Sequence, residues 1–396
     1  MSRTGFLTIS LVLSGLALMT ASCFRAQKPS ATPGIIQEIP QSTIIPVVDV
    51  RKVYRALYPE EAVHYVGDET CVNCHGKECG EYSHSRHART LRAVTTAEHA
   101  AIHKIKTDIV DPNLKFHYGV DVKDGKCVQT GTKSGAPRQM TADYVMGSGK
   151  NAETFFSITD GNTWVDLRLS YYTSIKKWDF TPGQGLDDRT FLRAAGVDQH
   201  GDQLENCLSC HSTYSLRTEK GIDPKLSRFG IGCERCHGPA KEHVESAMKS
   251  GPNALESLIH LENLKTATPA RITEICGSCH RTSKNAPMND PKTINGLARF
   301  EGPALDQSAC FQKSGKLSCV TCHAPHADAE TNPIKNDKIC LSCHQSAPSS
   351  TPLFQAKTAC KVNQKSDCSK CHMPAQTIAT IPHTKYRNHF IKIWNQ

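Results

Sequence analysis

Apolar and aromatic side chains are scarce in this chain of 396 residues, of which 38% are hydrophobic and 6% aromatic. This content is low for a chain that would have to build the cores of two ordinary domains from side chains alone. Beyond residue 19, no apolar run is long enough to cross a bilayer as a helix, which argues against a membrane-spanning body. Lysines and arginines are scattered among acidic residues, so nucleic acid is not an expected partner.

Cysteine is abundant, and fourteen of the nineteen cysteines belong to seven copies of Cys-x-x-Cys-His. This pattern is the attachment signal for c-type haem: two thiols bond to the porphyrin, and the next histidine ligates the iron. Structural zinc sites or a disulfide framework need no histidine after each pair, so haem is the favoured interpretation. The attaching cysteines are Cys71, Cys74, Cys207, Cys210, Cys233, Cys236, Cys276, Cys279, Cys319, Cys322, Cys340, Cys343, Cys368 and Cys371. The proximal ligands of motifs 1 to 7, in chain order, are His75, His211, His237, His280, His323, His344 and His372.

Seven covalently bound haems would supply the apolar surface that the side chains lack. We therefore expect a mainly α fold with long loops, wrapped around the haems. About 130 residues without a motif separate motif 1 from motif 2. There, Lys115–Thr130 and Phe155–Tyr172 alternate apolar and polar residues about Asp-Gly turns, which predicts a small antiparallel β insertion between these two motifs.

The N-terminal segment has the features of an export signal. Arg3 precedes the apolar run Phe6–Met19, which is typical of a signal peptide. Small residues before Cys23 are typical of a lipoprotein signal, although Thr20 stands where Leu is usual, and ordinary cleavage is the alternative. We expect a periplasmic or cell-surface protein, anchored by a lipid on Cys23. The expected segments are a signal peptide (1–22), a tether (23–50), a single-haem segment (51–110), the β insertion (111–200) and a hexahaem region (201–396).

Four cysteines remain outside the motifs and the lipidation signal. Cys310 and Cys360 precede motifs 5 and 7 by nearly the same offset, which suggests a disulfide between them in an oxidising compartment. Cys79 and Cys127 are a second, weaker candidate pair. Buried free thiols are the alternative for each.

The ligand on the far side of each iron decides what that haem does. A second imidazole closes the iron for electron transfer, whereas an open position permits substrate chemistry. Twelve histidines lie outside the motifs, more than seven haems require.

Several local patterns around the motifs are similar to those of known cytochromes. They are Tyr82 with Ser85-Arg86-His87-Ala88, Gly232-Cys233-Glu234-Arg235-Cys236-His237-Gly238-Pro239 with His243, Cys322-His323-Ala324-Pro325-His326, and Cys371-His372-Met373-Pro374 with His383 and His389. The chain resembles multihaem c-type cytochromes related to the tetrahaem cytochrome of ammonia oxidisers, within the set that includes pentahaem nitrite reductase and octahaem hydroxylamine oxidoreductase. The resemblance implies distal ligands at His87, His243, His326, His383 and His389, followed by His117 and His200.

The same resemblance offers little support for catalysis, and no catalytic residue is assigned. The Cys-x-x-Cys-Lys motif of the nitrite reductases does not occur in this sequence. No rule selects a tyrosine for the cross-link of the hydroxylamine oxidoreductases, although Tyr171, Tyr172 and Tyr386 are available. The count of seven haems also differs from four, five and eight, so no specific substrate is carried over.

The sequence favours an extracytoplasmic cytochrome that passes electrons through stacked, mostly bis-histidine haems between redox partners. A membrane quinol-oxidising complex or a soluble cytochrome would be such a partner. The alternative is a multihaem oxidoreductase with one open haem acting on a small nitrogen or sulfur oxyanion, and a structural or haem-storage protein is a third reading. Residues 76–206 either build a pocket or docking face or pack over an exposed haem.

Overall fold

Short helices carry the cysteine motifs in the computed structural model of the chain. It divides into two units, Met1–Ile44 and Ile45–Gln396, and all described residues lie in the second. They are residues 55–111, 115–160, 162–184, 195–254, 258, 260–284, 298, 300–344, 366–378 and 381–394. The expected signal peptide, the tether and Cys360 lie outside the described residues. In the described part, no helix is long and apolar enough to cross a membrane.

The helices are mostly short, and their ends coincide with the motifs. They are α1 (Pro59–Ala62), α2 (Asp68–Ser83), α3 (Thr96–His103), α4 (Gly201–His211), α5 (Cys233–His237), α6 (Lys241–Ser250), α7 (Pro269–His280), α8 (Glu301–Asp306), α9 (Ala309–Ser314), α10 (Cys319–Cys322), α11 (Pro333–His344) and α12 (Cys368–His372). Helices α4, α7 and α11 end at the histidine of motifs 2, 4 and 6. Because residues i and i+3 are neighbours on a helix surface, each motif turn presents both thiols on one side.

A four-stranded antiparallel sheet follows α3. Its strands, in spatial order, are β2 (Ile109–Val110), β3 (His117–Lys123), β4 (Lys126–Lys133) and β5 (Ala136–Thr141). Asp124 and Gly125 connect β3 to β4 with φ of 49° and 74°, the positive values that a tight two-residue hairpin needs. The hairpin predicted about Asp124-Gly125 is confirmed.

A six-stranded antiparallel sheet packs against the first. Its strands are β1 (Leu91–Ala93), β6 (Tyr144–Met146), β7 (Ala152–Thr159), β8 (Thr163–Tyr172), β9 (Lys177–Phe180) and β10 (Gly196–Gln199). The spatial order is β1-β6-β7-β8-β10, with β9 also paired to β8. The hairpin predicted over Phe155–Tyr172 is present as β7 and β8. The sheet also recruits β1, which precedes the expected insertion.

An aromatic core lies between the two sheets. Phe116, just before β3, and Tyr118, in β3, pack against residues of the second sheet. These are Phe155, Leu167 and Leu169, and all five side chains are at most 1% exposed. The Gln129 side chain bridges the sheets, donating to the carbonyl of Leu169 and accepting from its N–H. The two sheets therefore share a conventional side-chain core.

The expectation of a mainly α fold is met only in part, because the described residues are not clearly mainly α. Of the described residues, 35% are helical and 30% lie in strands. Besides the two sheets, β11 (Ser212–Thr218) pairs with β12 (Gly221–Phe229), and β13 (Ala375–Ile378) pairs with β14 (Ile381–Arg387). These hairpins directly follow the turns of motifs 2 and 7, so strands also support the haem-motif region.

The suggested Cys79–Cys127 disulfide is not formed. Both residues are free thiols, with Cys127 buried at 1% exposure on β4 and Cys79 on α2, near Cys71 and Cys233. Cys310 is also a free thiol, near the cysteines of motifs 5 and 6.

Gly230 is a position where a side chain cannot be tolerated. Its φ is +75°, and a Cβ there would overlap the carbonyl oxygen of Ala88. Gly183 has a similar φ of +80°, but no atom of the described residues lies within 4 Å of a Cβ placed there. We expect Gly183→Ala to cost about 1–2 kcal/mol for the left-handed backbone alone. Gly230→Ala should cost at least about 2 kcal/mol more, because the backbone must also move.

Chemical denaturation of the two variants, followed by far-ultraviolet circular dichroism, measures this difference. Equal destabilisation by both substitutions would show that Ala88 does not pack closely against Gly230.

Candidate haem-binding centres

Four motif histidines face a second histidine from a distant part of the chain. The ring centres are 6.4 Å apart for His75 and His243, and 6.0 Å apart for His280 and His87. They are 6.1 Å apart for His237 and His326, and 6.2 Å apart for His323 and His389. The motif histidines of these pairs belong to motifs 1, 4, 3 and 5, in that order. The histidine facing each of them is one of the distal-ligand candidates named from the sequence.

The spacing of these pairs fits one iron ion between two imidazoles. With each nitrogen about 2.0–2.1 Å from a metal, two imidazoles on opposite sides of it have ring centres roughly 6 Å apart. Rings at this separation are too far apart to hydrogen-bond directly. The eight side chains are exposed or only half-buried, as expected where protein alone does not cover them. The donor set, two thiols and two imidazoles, therefore suits c-type haem.

Hydrogen bonds orient three of the motif histidines. Nδ1 of His211 lies 3.2 Å from the carbonyl oxygen of Thr90, and Nδ1 of His372 lies 2.9 Å from that of Lys392. Nδ1 of His280 lies 2.7 Å from the Glu301 carboxylate. Such partners fix the ring orientation and leave Nε2 for the metal. Burial lowers the pKa of His280, but the hydrogen bond and the charge of Glu301 outweigh it and raise that pKa to about 9.

Carboxylate side chains hold neighbouring motifs together by accepting hydrogen bonds from their backbone N–H groups, an arrangement called here the carboxylate lock. Glu234, between the cysteines of motif 3 and 1% exposed, accepts hydrogen bonds from the N–H groups of Val66 and Gly67, just before motif 1. In return, Asp68 accepts one from the N–H of Cys233 at 2.8 Å. Asp337, before motif 6, accepts from the N–H groups of Asp367 and Cys368 at motif 7. Burial raises the pKa of Glu234 despite these donors.

The cysteine thiols show which motifs adjoin. Thiols close enough to shift each other's pKa join motif 1 to 3 (Cys71 and Cys233), 2 to 4 (Cys210 and Cys279), 4 to 5 (Cys276 and Cys319) and 6 to 7 (Cys340 and Cys368). Cys276 also lies close enough to Cys236 for their charges to interact, and Cys322 to Cys340. The adjacent motifs therefore run 1-3-4-5-6-7, and motif 2 meets the series at motif 4.

The other three nominated histidines have different surroundings. Nε2 of His383 lies 2.6 Å from the Asp179 carboxylate, and its ring contacts Tyr172 at 4.9 Å. His117 begins β3, more than half exposed, with Nδ1 3.2 Å from Asp108. His200 precedes α4 as its N-cap residue. The structure thus brings four of the seven nominated histidines against a motif histidine and holds His383 and His117 against carboxylates.

Sequence reasoning missed the carboxylates of this region. Glu234 occupies one of the two variable positions of its motif, where the attachment signal constrains nothing. Asp337 and Glu301 are acids among many, and only the folded chain shows what they contact.

Repeated turns that each present two thiols and a histidine define the multihaem c-type cytochromes, and the chain belongs to this class, with covalently bound haem. It matches the family described as Cytochrome c554 and c-prime over residues 70–141 and 182–238.

Two curated relatives match the chain. The multiheme cytochrome MtrA of Shewanella baltica is 26% identical over 217 residues, which cover 50% of this chain and 54% of MtrA. The dissimilatory sulfite reductase MccA of Wolinella succinogenes is 22% identical over 413 residues, which cover 80% of this chain and 51% of MccA. The chain therefore spans about half the length of these relatives.

Among solved structures, the outer cell wall cytochrome OcwA matches at 15% identity and a TM-score of 0.43, covering 83% of this chain and 80% of OcwA. The TM-score is too low to assign a shared fold.

Replacing Glu234 tests whether the carboxylate lock holds motifs 1 and 3 together. Both carboxylate oxygens of Glu234 accept hydrogen bonds from backbone N–H groups, including that of Ala240. In Glu234→Gln, one oxygen is replaced by an NH₂ group, which is itself a donor and would face these N–H donors. We expect a loss of about 1–3 kcal/mol in unfolding free energy and less haem per chain. Chemical denaturation and a pyridine haemochrome assay measure both quantities.

Glu219 is exposed in the turn between β11 and β12. Glu219→Gln is therefore the matched control and should change neither the unfolding free energy nor the haem content. Wild-type stability and haem content in Glu234→Gln would contradict a structural role for the lock.

Proposed function

We propose that the chain is an extracytoplasmic multihaem cytochrome that carries seven c-type haems, mostly with two histidine ligands, and passes electrons between redox partners. The observation that carries this proposal is the set of four facing imidazole pairs. In it, His243, His326, His87 and His389 are the distal ligands for motifs 1, 3, 4 and 5. His383, His117 and His200 remain sequence-based candidates for the other motifs.

Paired imidazoles favour electron transfer over substrate chemistry. When bound between two imidazoles, a haem gains and loses one electron while its iron is closed to other ligands. The protein's contribution is to hold the two rings on opposite sides and to exclude water. His280 does so with help from Glu301, which accepts its Nδ1 hydrogen at 2.7 Å.

The order of adjacent motifs supports a relay within the chain. Each thiol contact links cysteines of two motifs, so the groups attached there would lie next to each other. Motif 4 touches motifs 2, 3 and 5, which makes it the junction of the proposed relay. Electrons entering at either end would pass this junction, and motif 2 would be a branch.

Redox proteins are the expected partners. The matched relatives include a protein named as a multiheme cytochrome, which supports an electron-transfer role but names no donor or acceptor. A quinol-oxidising membrane complex or a soluble cytochrome remains our proposal. The signal-like N-terminus and Cys23 support a periplasmic or cell-surface location with a lipid anchor. The narrower kinship with the tetrahaem cytochrome of ammonia oxidisers rests on the motif patterns quoted above.

A multihaem oxidoreductase acting on a small sulfur oxyanion is the second candidate function. The match to a protein named dissimilatory sulfite reductase, over 80% of this chain, favours it. This function requires one iron position that is open to substrate.

Replacing His326 tests the proposed distal ligands. His326→Ala should convert the haem of motif 3 from low-spin to high-spin, because His237 would remain as its only imidazole. Low-temperature electron paramagnetic resonance should then show about one additional high-spin iron per chain. His326→Met supplies another ligand and should stay low-spin with a higher reduction potential.

His260→Ala is the matched control, since His260 is a non-motif histidine next to Glu242 on the surface. Its spectrum should equal that of the wild type. If the spectrum of His326→Ala also equals that of the wild type, His326 is not a haem ligand.

The wild-type protein separates the two candidate functions. If all haems in the oxidised, fully loaded protein are low-spin and cyanide changes none of them, electron transfer stands. If one haem is high-spin and binds both cyanide and sulfite, and if reduced protein is reoxidised by sulfite, catalysis becomes the function.

A further inference from the structure

Two histidines outside the haem-binding centres are buried by protein alone. His99 and His103 lie one turn apart on α3, with 1% and 3% of their side chains exposed. The histidines of the four facing pairs are all exposed or half-buried. His99 and His103 instead pack against Phe155, which belongs to the core between the sheets. Their burial therefore comes from side chains of the sheets.

Three nitrogens of these two rings have no hydrogen-bond partner among the described residues. They are Nε2 of His99 and both ring nitrogens of His103. Nδ1 of His99 lies 3.1 Å from the carbonyl oxygen of Thr95 and donates to it, so in the neutral ring the lone pair is on Nε2. Burying polar nitrogens without partners costs free energy, and an ion or water commonly explains such groups.

Two carboxylates complete a set of ligand atoms around this lone pair. Nε2 of His99 lies 3.8 Å from an oxygen of Glu153, and atoms of Glu98, His99 and Glu153 all lie within 4.8 Å of one another. A separation of 3.8 Å is too long for a hydrogen bond. It suits two ligands of one metal ion, each bound at about 2.0–2.2 Å. The ring of His103 is 5.5 Å from that of His99.

Arginines hold these carboxylates in place and affect which cation fits. Arg92 donates to Glu98 and to Glu153, at 2.6 Å in each case, and Arg89 also pairs with Glu98. The two guanidinium charges balance the two carboxylates. A hard cation such as Ca²⁺, which depends on carboxylate charge, therefore gains little here. A cation that also binds imidazole nitrogen gains the lone pair of His99.

We propose that Glu98, His99 and Glu153 bind a zinc-type divalent cation separate from the haems. The ion would join α3 to β7, and so fix the segment after motif 1 to the sheets.

Zinc binding by the haem-loaded protein tests the proposal. After equilibration with Zn²⁺ and gel filtration, elemental analysis should find about one zinc per chain besides haem iron. X-ray absorption at the zinc edge should show nitrogen and oxygen ligands at about 2.0–2.1 Å and no sulfur at about 2.3 Å. Sulfur ligands would mean that zinc is held by unloaded cysteines, and would overturn the proposal.

Variants assign the site to these residues. His99→Gln and Glu153→Gln should each weaken zinc binding about 10–100-fold in competition with a chelating dye. His260→Gln should bind like the wild type. The haem content and visible spectrum show whether each variant has folded. Zinc below about a tenth of an equivalent in the wild type, or wild-type affinity in a folded His99→Gln, would overturn the proposal. If His99→Gln does not fold, the zinc-edge spectrum of the wild type decides alone.

Discussion

The hydrogen bonds from backbone N–H groups to carboxylates are the interaction on which the haem-binding region depends. Glu234 of motif 3 accepts from Val66 and Gly67 just before motif 1, and Asp68 at the start of α2 accepts from Cys233 of motif 3. Asp337 accepts from Asp367 and Cys368 at motif 7. The donors Cys233 and Cys368 are the first residues of five-residue helices, where N–H groups are unpaired and the helix dipole favours negative charge nearby. Because motif helices of four or five residues cannot be stable alone, these contacts determine how close neighbouring motifs lie.

The two parts of the molecule are built from different kinds of core. Between the sheets, aromatic and aliphatic side chains fill the interior as in an ordinary domain. Around the motifs, imidazoles and thiols are left exposed or half-buried by the protein, and covalently bound haem supplies the missing apolar surface. A second side-chain cluster, which includes Leu204 and Leu208, packs the helix of motif 2 against the six-stranded sheet. The low hydrophobic content of the chain is thus an average over these side-chain cores and a cofactor-dependent region.

Local features were predictable from the sequence, and features that depend on distant contacts were not. The motif turns and the hairpin at Asp124-Gly125 follow from a few consecutive residues. Strands β1 and β10 have only three and four residues, too short to show alternation, so the β content was underestimated. Patterns nominated both His326 and His383, but only folding shows that one faces His237 and the other contacts Asp179. Nothing in the sequence separates the buried His99 from surface histidines.

The facing histidines also have a consequence for how the protein is made. Presenting two thiols and a histidine requires only a five-residue turn, so attachment can proceed on a chain that is still extended. The facing imidazole comes from elsewhere in the chain. Both sheets lie between His87 and motif 4, and motifs 6 and 7 lie between motif 5 and His389. Under the proposed ligation, maturation would therefore have a local, covalent stage and a later stage in which distant parts of the chain come together.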